Sequence, residues 1–251
     1  MIKVIQVEVP SRRGAVLRGI LNIADDTQKS AFVLNLHGFG GSRSGYKYAH
    51  THMARMLAQH GISSARFDFY GCGESDGEFE DMTFTSTLQD TEDLYQWLKT
   101  QPFADETRII LSGQSMGGMV AASAAPIVQP RALILMCPGA GMWYGCKERA
   151  DAMTAQNIPY ADIEGLRFSP QFNYDLAKYN PFEDAKGFGG KTVIIRGTED
   201  KLVDTETCRK YQALYSDCQF VEIDGGNHNF ASVPARDGCE KAVLQFCKQF
   251  A

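Results

Sequence analysis

Two segments at the start of the chain alternate apolar and polar residues, whereas six later segments are short and apolar throughout. Residues 2–9 and 15–23 alternate around a polar turn at 11–14, which predicts an antiparallel hairpin at a sheet edge. Strands that are apolar on both faces are typical of a parallel sheet covered by helices on both sides. The six apolar runs are residues 31–36, 64–69, 108–111, 132–137, 192–195 and 219–223.

Helical periodicity fills most of the intervals between these runs. Predicted helices cover residues 46–60, 84–100 and 239–250, and two more follow Ser115 and Asp204. The alternation of strand and helix predicts an α/β fold, a three-layer sandwich around a mostly parallel sheet. At 251 residues the chain is long enough for one such core, so residues 1–251 are predicted to form a single domain.

One long stretch interrupts this alternation. Between Cys137 and Thr192 the pattern predicts no strand, but aromatic side chains are concentrated there among several Gly and Pro residues. Long irregular stretches in compact domains tend to be binding loops or lids, so residues 139–188 are predicted to form an inserted cap. The alternative is a surface excursion whose aromatic side chains pack only on one another. The aromatic residues include Trp143, Tyr144, Tyr160, Phe168, Phe172, Tyr174 and Tyr179.

The overall composition narrows the range of partners. The formal net charge is -5, and no basic run is long enough to neutralise a row of phosphates, so nucleic acid is not expected as a partner. No stretch approaches the ~20 apolar residues of a membrane span, and the alternating N-terminal segment lacks the apolar block of a signal peptide. We therefore expect no membrane association and a cytoplasmic location. Both a monomer and a homodimer stay open.

Cysteine and histidine spacing argues against a metal site. The seven cysteines lie mostly in apolar patterns and include no Cys-x-x-Cys pair, as expected of small buried side chains in a reducing compartment. His50 and His52 stand two residues apart on a predicted helix and so point in different directions. Together with His60 they are predicted to lie at the surface or at an interface. No metal and no organic cofactor is expected.

A predicted strand-to-helix turn carries the main candidate for chemistry. Gly113-Gln114-Ser115-Met116-Gly117 matches the pattern G-x-S-x-G between an apolar strand and a helix of small residues. The flanking positions must be glycine because a side chain there would collide with the neighbouring strand and helix. Ser115 is the predicted nucleophile, and Met116 N–H at the helix start is a predicted donor to an oxyanion. Taken alone, the pattern also occurs in ordinary glycine turns.

A second glycine-rich turn follows the first apolar run of the core. It is Leu36-His37-Gly38-Phe39-Gly40-Gly41, in which the glycines let the backbone approach a reacting carbonyl closely. Phe39 N–H is the predicted second donor of an oxyanion hole. The alternative is that His37 is an ordinary core histidine beside a flexible loop.

Two more turns follow the last two apolar runs and supply an acid and a base. They are Gly197-Thr-Glu-Asp200 and Gly225-Gly-Asn-His228, so the chain order is Ser, Asp, His, as in α/β-hydrolases and unlike chymotrypsin or subtilisin. His228 is the predicted general base. Asp200 is the predicted acid that orients the histidine, because it occupies the Asp position of the pattern Gly-Thr-x-Asp-x-x-Val. The nearby acids Glu199, Asp204 and Asp224 are the alternatives. Asp204 looks instead like a helix N-cap.

Over nearly its whole length the sequence resembles the α/β-hydrolase superfamily, and within it the bacterial cinnamoyl (feruloyl) esterases. The likeness rests on the turns described above, on the segment 67–77, and on a cap inserted after Cys137. The resemblance implies hydrolysis of hydroxycinnamoyl esters, such as those of ferulic and caffeic acid, through an acyl-enzyme. It also implies that aromatic residues of the cap form the acyl pocket, with Trp143, Tyr144, Phe172 and Tyr174 as candidates.

Most of these motifs are shared with other acyl hydrolases of the same fold, so the substrate stays open. A monoacylglycerol, a thioester or a peptide amino terminus are the alternatives, and Glu148 and Asp151 in the cap could bind a free amino group. A lipase would need a wider apolar cap surface. The remaining alternative is a non-catalytic member whose cap pocket only binds a small ligand.

Overall fold

The computed structural model describes residues 2–25 and 27–251, and a large sheet runs through its centre. The predicted domain range 1–251 also includes Met1 and Asp26, which lie outside the described residues. The strands of the described residues are β1 (Lys3–Pro10), β2 (Val16–Ile23), β3 (Ser30–Leu36), β4 (Ser63–Phe67), β5 (Ala104–Gln114), β6 (Ala132–Met136), β7 (Ala161–Ile163), β8 (Leu166–Phe168), β9 (Lys191–Gly197) and β10 (Cys218–Ile223).

Eight of these strands form the central sheet in the order β1-β2-β4-β3-β5-β6-β9-β10. β1 pairs with β2 and β2 with β4 in antiparallel fashion, and every later pair is parallel. β3, β4 and β6 are buried at every position, which explains why their sequences, Arg66 and Asn35 apart, are apolar or small on both faces. The predicted hairpin and the mostly parallel sheet are confirmed.

Helices cover both faces of this sheet. α1 contacts α7, and α2 contacts α3, while α1, α3 and α7 each pack on strands of the sheet. The three-layer arrangement is therefore the predicted one. The α-helices are α1 (Ala49–Gln59), α2 (Phe84–Lys99), α3 (Met116–Val128), α4 (Cys146–Ala155), α5 (Pro170–Leu176), α6 (Thr205–Leu214) and α7 (Val233–Cys247).

Two helix predictions had wrong boundaries. The predicted helix 46–60 is a short 3₁₀ turn followed by α1, because Lys47 and Tyr48 have positive φ angles that interrupt the helix. The predicted helix 239–250 starts earlier, at Val233, where the Ser232 hydroxyl caps the first turn by accepting from Ala235 N–H. Val233 is 75% exposed, so the first turn shows no apolar stripe from which the start could be inferred.

The segment between β6 and β9 is the inserted cap, built from α4, α5 and the pair β7–β8. The prediction that this segment contains no strand was wrong. β7 and β8 form an antiparallel hairpin around Glu164-Gly165, whose φ angles of 51° and 93° suit a two-residue hairpin turn. Each strand has only three residues, too few for an alternating pattern to be visible in the sequence.

Two further expectations concern the burial of the cysteines and the presence of membrane-spanning helices. All seven cysteines are free, and six of them are buried, as predicted for small apolar side chains. Among the described residues, none of the helices has the combination of length and apolar character needed to cross a bilayer.

Candidate active site

The turn between β5 and α3 holds Ser115 in a strained conformation. Its φ of 56° and ψ of −123° lie in a region that side-chain-bearing residues rarely adopt. Ser115 N–H donates to Met136 O at 2.9 Å, and Ser115 O accepts from Gly139 N–H at 2.8 Å, so the surroundings fix this backbone. The serine consequently stands at the carboxyl end of β5 and lines a cavity there.

The glycines on either side of Ser115 are required by close backbone contacts. A Cβ atom on Gly113 would lie 2.0 Å from Gly117 O, and one on Gly117 would lie 2.4 Å from Leu36 O. Both distances are far below van der Waals contact, and the obstructing atoms belong to backbone that cannot rotate away. The structure thus accounts for both glycines of the G-x-S-x-G pattern.

Replacing Gly113 by alanine should lower the free energy of unfolding by about 3 kcal/mol, because the added methyl group must push β5 and α3 apart. The measurement is urea denaturation of both proteins. Gly189→Ala is the matched control, since a Cβ atom there meets no atom within 4 Å, and it should change stability by less than ~0.5 kcal/mol. A loss for Gly113→Ala no larger than that of the control would contradict the steric argument.

His228 and Asp200 form a hydrogen-bonded pair on the loops after β10 and β9. The Asp200 carboxylate can only accept, so the 2.9 Å contact between His228 Nδ1 and Asp200 Oδ2 means that Nδ1 carries the proton and donates it. Nε2 is then the nitrogen with a free lone pair. The other carboxylate oxygen, Oδ1, accepts from Leu202 N–H at 2.8 Å and Val203 N–H at 3.0 Å. Asp200 is therefore held at both oxygens.

This environment keeps the Asp200 carboxylate ionised. Burial alone would raise its pKa, but the hydrogen bonds from His228 and Val203 N–H, together with the nearby Cys137 thiol, outweigh burial and lower the pKa to about 2. Because the folded pKa lies below the ordinary value of 3.8, the ionised carboxylate stabilises the fold above pH ~4 and this contribution is lost as the pH falls toward 2.

The three other acids considered for this role do not contact His228. Asp204 is the N-cap of α6, where its Oδ1 accepts from Thr207 N–H at 2.7 Å, as its sequence position predicts. Glu199 and Asp224 are exposed side chains. Of these loop acids, only Asp200 is hydrogen-bonded to the histidine within the described residues.

Cys137 joins this pair as a third polar group, which the sequence predicted only as an apolar strand residue. Its sulfur, an Asp200 oxygen and a His228 nitrogen all lie within 4.8 Å of one another, a cluster that could hold a metal ion. Zinc, however, binds the thiolate, and burial together with the Asp200 charge raises the pKa of the Cys137 thiol well above its usual value. A neutral thiol beside a protonated Nδ1 favours hydrogen bonding over metal binding.

His37 fixes the direction of a main-chain amide in the loop after β3. Phe69 N–H donates to His37 Nε2 at 3.1 Å, so the proton of this buried imidazole is on Nδ1, which donates to Gly38 O at 2.8 Å. Burial lowers the pKa of His37, which keeps the ring neutral. Since the peptide bond is planar and trans, fixing Gly38 C=O also fixes the opposite direction of Phe39 N–H.

The two predicted oxyanion donors lie on either side of Ser115. The site of a Cβ on Gly38, next to Phe39, is 3.2 Å from Ser115 Cβ, while Met116 follows the serine directly at the start of α3. Neither Phe39 N–H nor Met116 N–H donates a hydrogen bond within residues 2–25 and 27–251. Two unpaired amides at the start of a helix and beside a nucleophile suit a developing negative charge.

A cavity of about 1010 Å³ opens between the sheet edge and the cap. Ser115, His228, Phe39 and Gly38 line its floor. Ser115 Oγ makes no hydrogen bond in the described part of the chain; such contacts are often long without substrate and shorten when substrate binds. The upper wall and rim include Met142, Arg149, Ile163, Glu164, Leu166 and Leu202.

Comparison with known proteins agrees with this geometry. The model of the alpha/beta hydrolase family matches residues 33–238, which is most of the chain. The chain belongs to the alpha/beta hydrolase family. The elements of its candidate site all come from the matched residues.

Individual relatives are distant. YfhR of Salmonella typhimurium is 24% identical over 208 residues, a match that covers 79% of this chain and 64% of YfhR. The solved structure of Est1E from Butyrivibrio proteoclasticus with ferulic acid bound superimposes with a TM-score of 0.84 at 22% identity, covering 97% of this chain and 98% of Est1E. An acetyl xylan esterase from Paenibacillus sp. R4 gives a TM-score of 0.77 at 16% identity, covering 100% of this chain and 84% of that one.

The aromatic residues predicted to bind substrate in this α/β-hydrolase lie away from the cavity surface. Phe172 is buried behind Phe39, with ring centroids 5.7 Å apart. Trp143 packs on Tyr144, and the hydroxyl of Tyr174 lies 3.0 Å from that of Thr154 within the cap. None of the four is among the residues that line the cavity.

These aromatic side chains hold the cap together and attach it to the body of the hydrolase. The residues that do line the upper wall include Ile163 and Leu166, which flank the hairpin turn that the sequence did not predict. Leu166 Cδ1 lies 3.6 Å from the Cβ site of Gly40, so the hairpin rests on the loop that carries Phe39. Aromatic density alone therefore identified the cap but not its inner surface.

The histidine predictions for α1 have mixed outcomes. His52 and His60 are exposed, as expected, and His52 Nδ1 lies 2.7 Å from Glu240 on α7. The predicted position at the surface or at an interface was wrong for His50, since this residue is 3% exposed and lines the cavity. His50, Met53, Ala54, Leu57 and Ala58 form the buried face of α1 at helical spacing, so the pattern itself contained this signal.

Proposed function

We propose that this α/β-hydrolase cleaves carboxylic esters through an acyl-enzyme on Ser115. The observation that carries the proposal is the arrangement around one cavity floor: a strained serine, two unpaired amides beside it, and a histidine whose Nδ1 is engaged by a carboxylate. Each of these groups supplies one of the roles that acyl transfer requires.

In the proposed mechanism, His228 Nε2 accepts the Ser115 proton as Oγ attacks the ester carbonyl carbon. Phe39 N–H and Met116 N–H donate to the oxyanion of the tetrahedral intermediate. The ester C–O bond then breaks, and His228 returns the proton to the departing alcohol oxygen. Water attacks the acyl-enzyme, gives its proton to His228, and the acid leaves as Ser115 regains a proton. Asp200 keeps the imidazole in the required tautomer and stabilises its cation.

For the acyl group, we propose hydroxycinnamoyl esters such as those of ferulic and caffeic acid. The likeness to Est1E with ferulic acid bound supports this choice, and so does a cavity at the upper end of the usual ~300–1,000 Å³ range of ligand pockets. Its wall combines the apolar Met142, Ile163 and Leu166 with the charged Arg149 and Glu164, which suits an aromatic ring carrying hydroxyl groups.

The two acids first considered for binding the amino terminus of a peptide do not lie at the cavity. Asp151 is paired with Lys147 at 2.7 Å on the outer face of α4, and neither Asp151 nor Glu148 lines the cavity. Glu164 is the acid of the cap that does line the cavity wall, together with the oppositely charged Arg149.

The sequence also suggested a cytoplasmic location, and seven free cysteines suit such a reducing compartment.

Among small substrates, kcat/KM should be highest for methyl ferulate in a panel that also contains a monoacylglycerol, an acyl thioester and an aminoacyl amide. A fluorophosphonate probe should label Ser115, because an activated serine reacts quickly with it. Highest activity on the monoacylglycerol or the thioester would overturn the hydroxycinnamoyl preference but leave the esterase proposal intact. Absence of both labelling and hydrolysis would overturn the esterase proposal itself.

A further inference from the structure

A chain of side-chain hydrogen bonds lies behind Ser115 and His228 and takes no part in the mechanism above. Gln114, the last residue of β5, donates from Nε2 to the main-chain oxygen of His228 at 3.1 Å. Its other amide atom, Oε1, lies 2.9 Å from Nε2 of His50 on α1. Gln114 and His50 are both buried, with exposed fractions of 7% and 3%.

The chemistry of the groups allows only one direction for this chain. A main-chain oxygen can only accept, so the Gln114 NH₂ group must face His228 and Oε1 must face His50. His50 Nε2 therefore carries the proton and donates it to Oε1. His50 Nδ1 is left as a bare acceptor, and it is a buried atom without a partner in the described residues. Leaving this atom unpaired costs free energy, so the other contacts of the His50 ring must offset this cost.

His50 stays neutral over the range in which the hydrolase would work. Burial lowers its pKa to about 4, opposed by the hydrogen bond to Gln114 and assisted by the positive charge of Arg66. From α7, Arg236 and Glu240 also line the small space beside the ring, where Glu240 contacts His52. His50 is therefore a fixed neutral donor rather than a titrating group at pH 5 and above.

We propose that Gln114 and His50 are positioning residues that hold the main chain of His228, so that its imidazole meets Ser115. This inference rests on the proposed esterase function. Asp200 restrains the ring at Nδ1, but this contact does not hold the main chain of the loop after β10 that carries the ring. Gln114 supplies a restraint on that main chain from the residue directly before Ser115, which couples the loop of the base to the strand of the nucleophile. His50 fixes the orientation of the Gln114 amide.

Removing the restraint should slow the chemical step and leave substrate binding nearly unchanged. Gln114→Met keeps the length of the side chain but neither donates nor accepts, and we expect a drop of roughly 10-fold in kcat with little change in KM. Gln114→Glu should lose as much, because a carboxylate cannot donate to His228 O. His50→Leu should lose less than Gln114→Met, whereas His50→Gln, which can still donate to Oε1, should recover most of the activity.

A double-mutant cycle tests whether the two residues act through each other. kcat and KM for p-nitrophenyl butyrate, the rate of fluorophosphonate labelling and the denaturation midpoint are measured for Gln114→Met, His50→Leu and the double variant. If His50 acts only through Gln114, the double variant should be no slower than Gln114→Met. His52→Gln, an exposed change on the same helix, should leave kcat unchanged alone and be additive with Gln114→Met.

The outcomes separate this inference from the esterase proposal. Wild-type kcat for Gln114→Met with Ser115→Ala inactive would overturn the positioning role only. A lowered denaturation midpoint with unchanged kcat would also overturn it, since that is the signature of a purely structural contact. So would losses in kcat for Gln114→Met and His50→Leu that multiply in the double variant. If His50→Leu fails to fold, a Gln114→Glu variant as active as wild type would still overturn the inference. Full activity of Ser115→Ala would overturn the esterase proposal itself.

Discussion

Replacing Ser115 by alanine should reduce kcat for p-nitrophenyl butyrate on the order of 10⁵-fold, the largest effect expected of any single change in this protein. The hydroxyl is the proposed attacking atom, and no other hydroxyl or thiol nucleophile in the described residues has an equivalent place beside the unpaired Phe39 and Met116 amides. KM should change little, because the cavity wall and both amides remain. Alanine fits the same turn, so the denaturation midpoint should stay close to that of wild type.

Ser123→Ala is the matched control for this experiment. Ser123 lies on α3, two turns beyond Ser115, and its buried hydroxyl has no hydrogen-bond partner in the described residues. Its removal should leave kcat unchanged and stability equal or slightly higher, since a buried unpaired hydroxyl costs free energy. If Ser115→Ala were as active as Ser123→Ala, Ser115 would not be the nucleophile, and the turn between β5 and α3 would have only a structural role.

The sequence located the strands of this fold well because each central strand is covered on both faces. Burial on both sides leaves apolar runs at β3, β5 and β6. The predicted runs differ from the observed strands by one residue at β3 and at β6, whereas β5 extends beyond its predicted run at both ends. β7 and β8 escaped prediction because three residues cannot display a period and because their sides face a cavity and solvent rather than a core.

Residues at the ends of strands were also predictable, because parallel strands bring their carboxyl ends to one edge of the sheet. Ser115, Asp200 and His228 follow β5, β9 and β10, so topology alone brings them together. Cap residues have no such constraint. Phe172 and Tyr174 are aromatic, as a ligand-binding residue would be, but Phe172 packs on Phe39 and Tyr174 contacts Thr154 within the cap. Cys137 and Gln114 were overlooked because their polar contacts cross between distant segments.

Changing Asp200 to asparagine should lower kcat ~10⁴-fold, because the imidazole would be held in the wrong tautomer. Leu202 N–H and Val203 N–H both donate to Asp200 Oδ1, and they would hold the oxygen of the new amide in that place. The amide NH₂ would then face His228 Nδ1 and donate to it, which moves the imidazole proton to Nε2. A histidine protonated at Nε2 cannot accept the Ser115 proton, so the loss should appear in kcat and in the rate of fluorophosphonate labelling.

Asp204→Asn provides the control, since Asp204 lies on the same loop but caps α6 through Thr207 N–H, a role that asparagine fills equally well. Its activity should equal that of wild type at every pH between 5 and 8. The Asp200 carboxylate, with a pKa of about 2, stays ionised throughout this range, so protonation of Asp200 should not change the activity between pH 5 and 8. Activity of Asp200→Asn within ~10-fold of wild type would mean that another group orients His228.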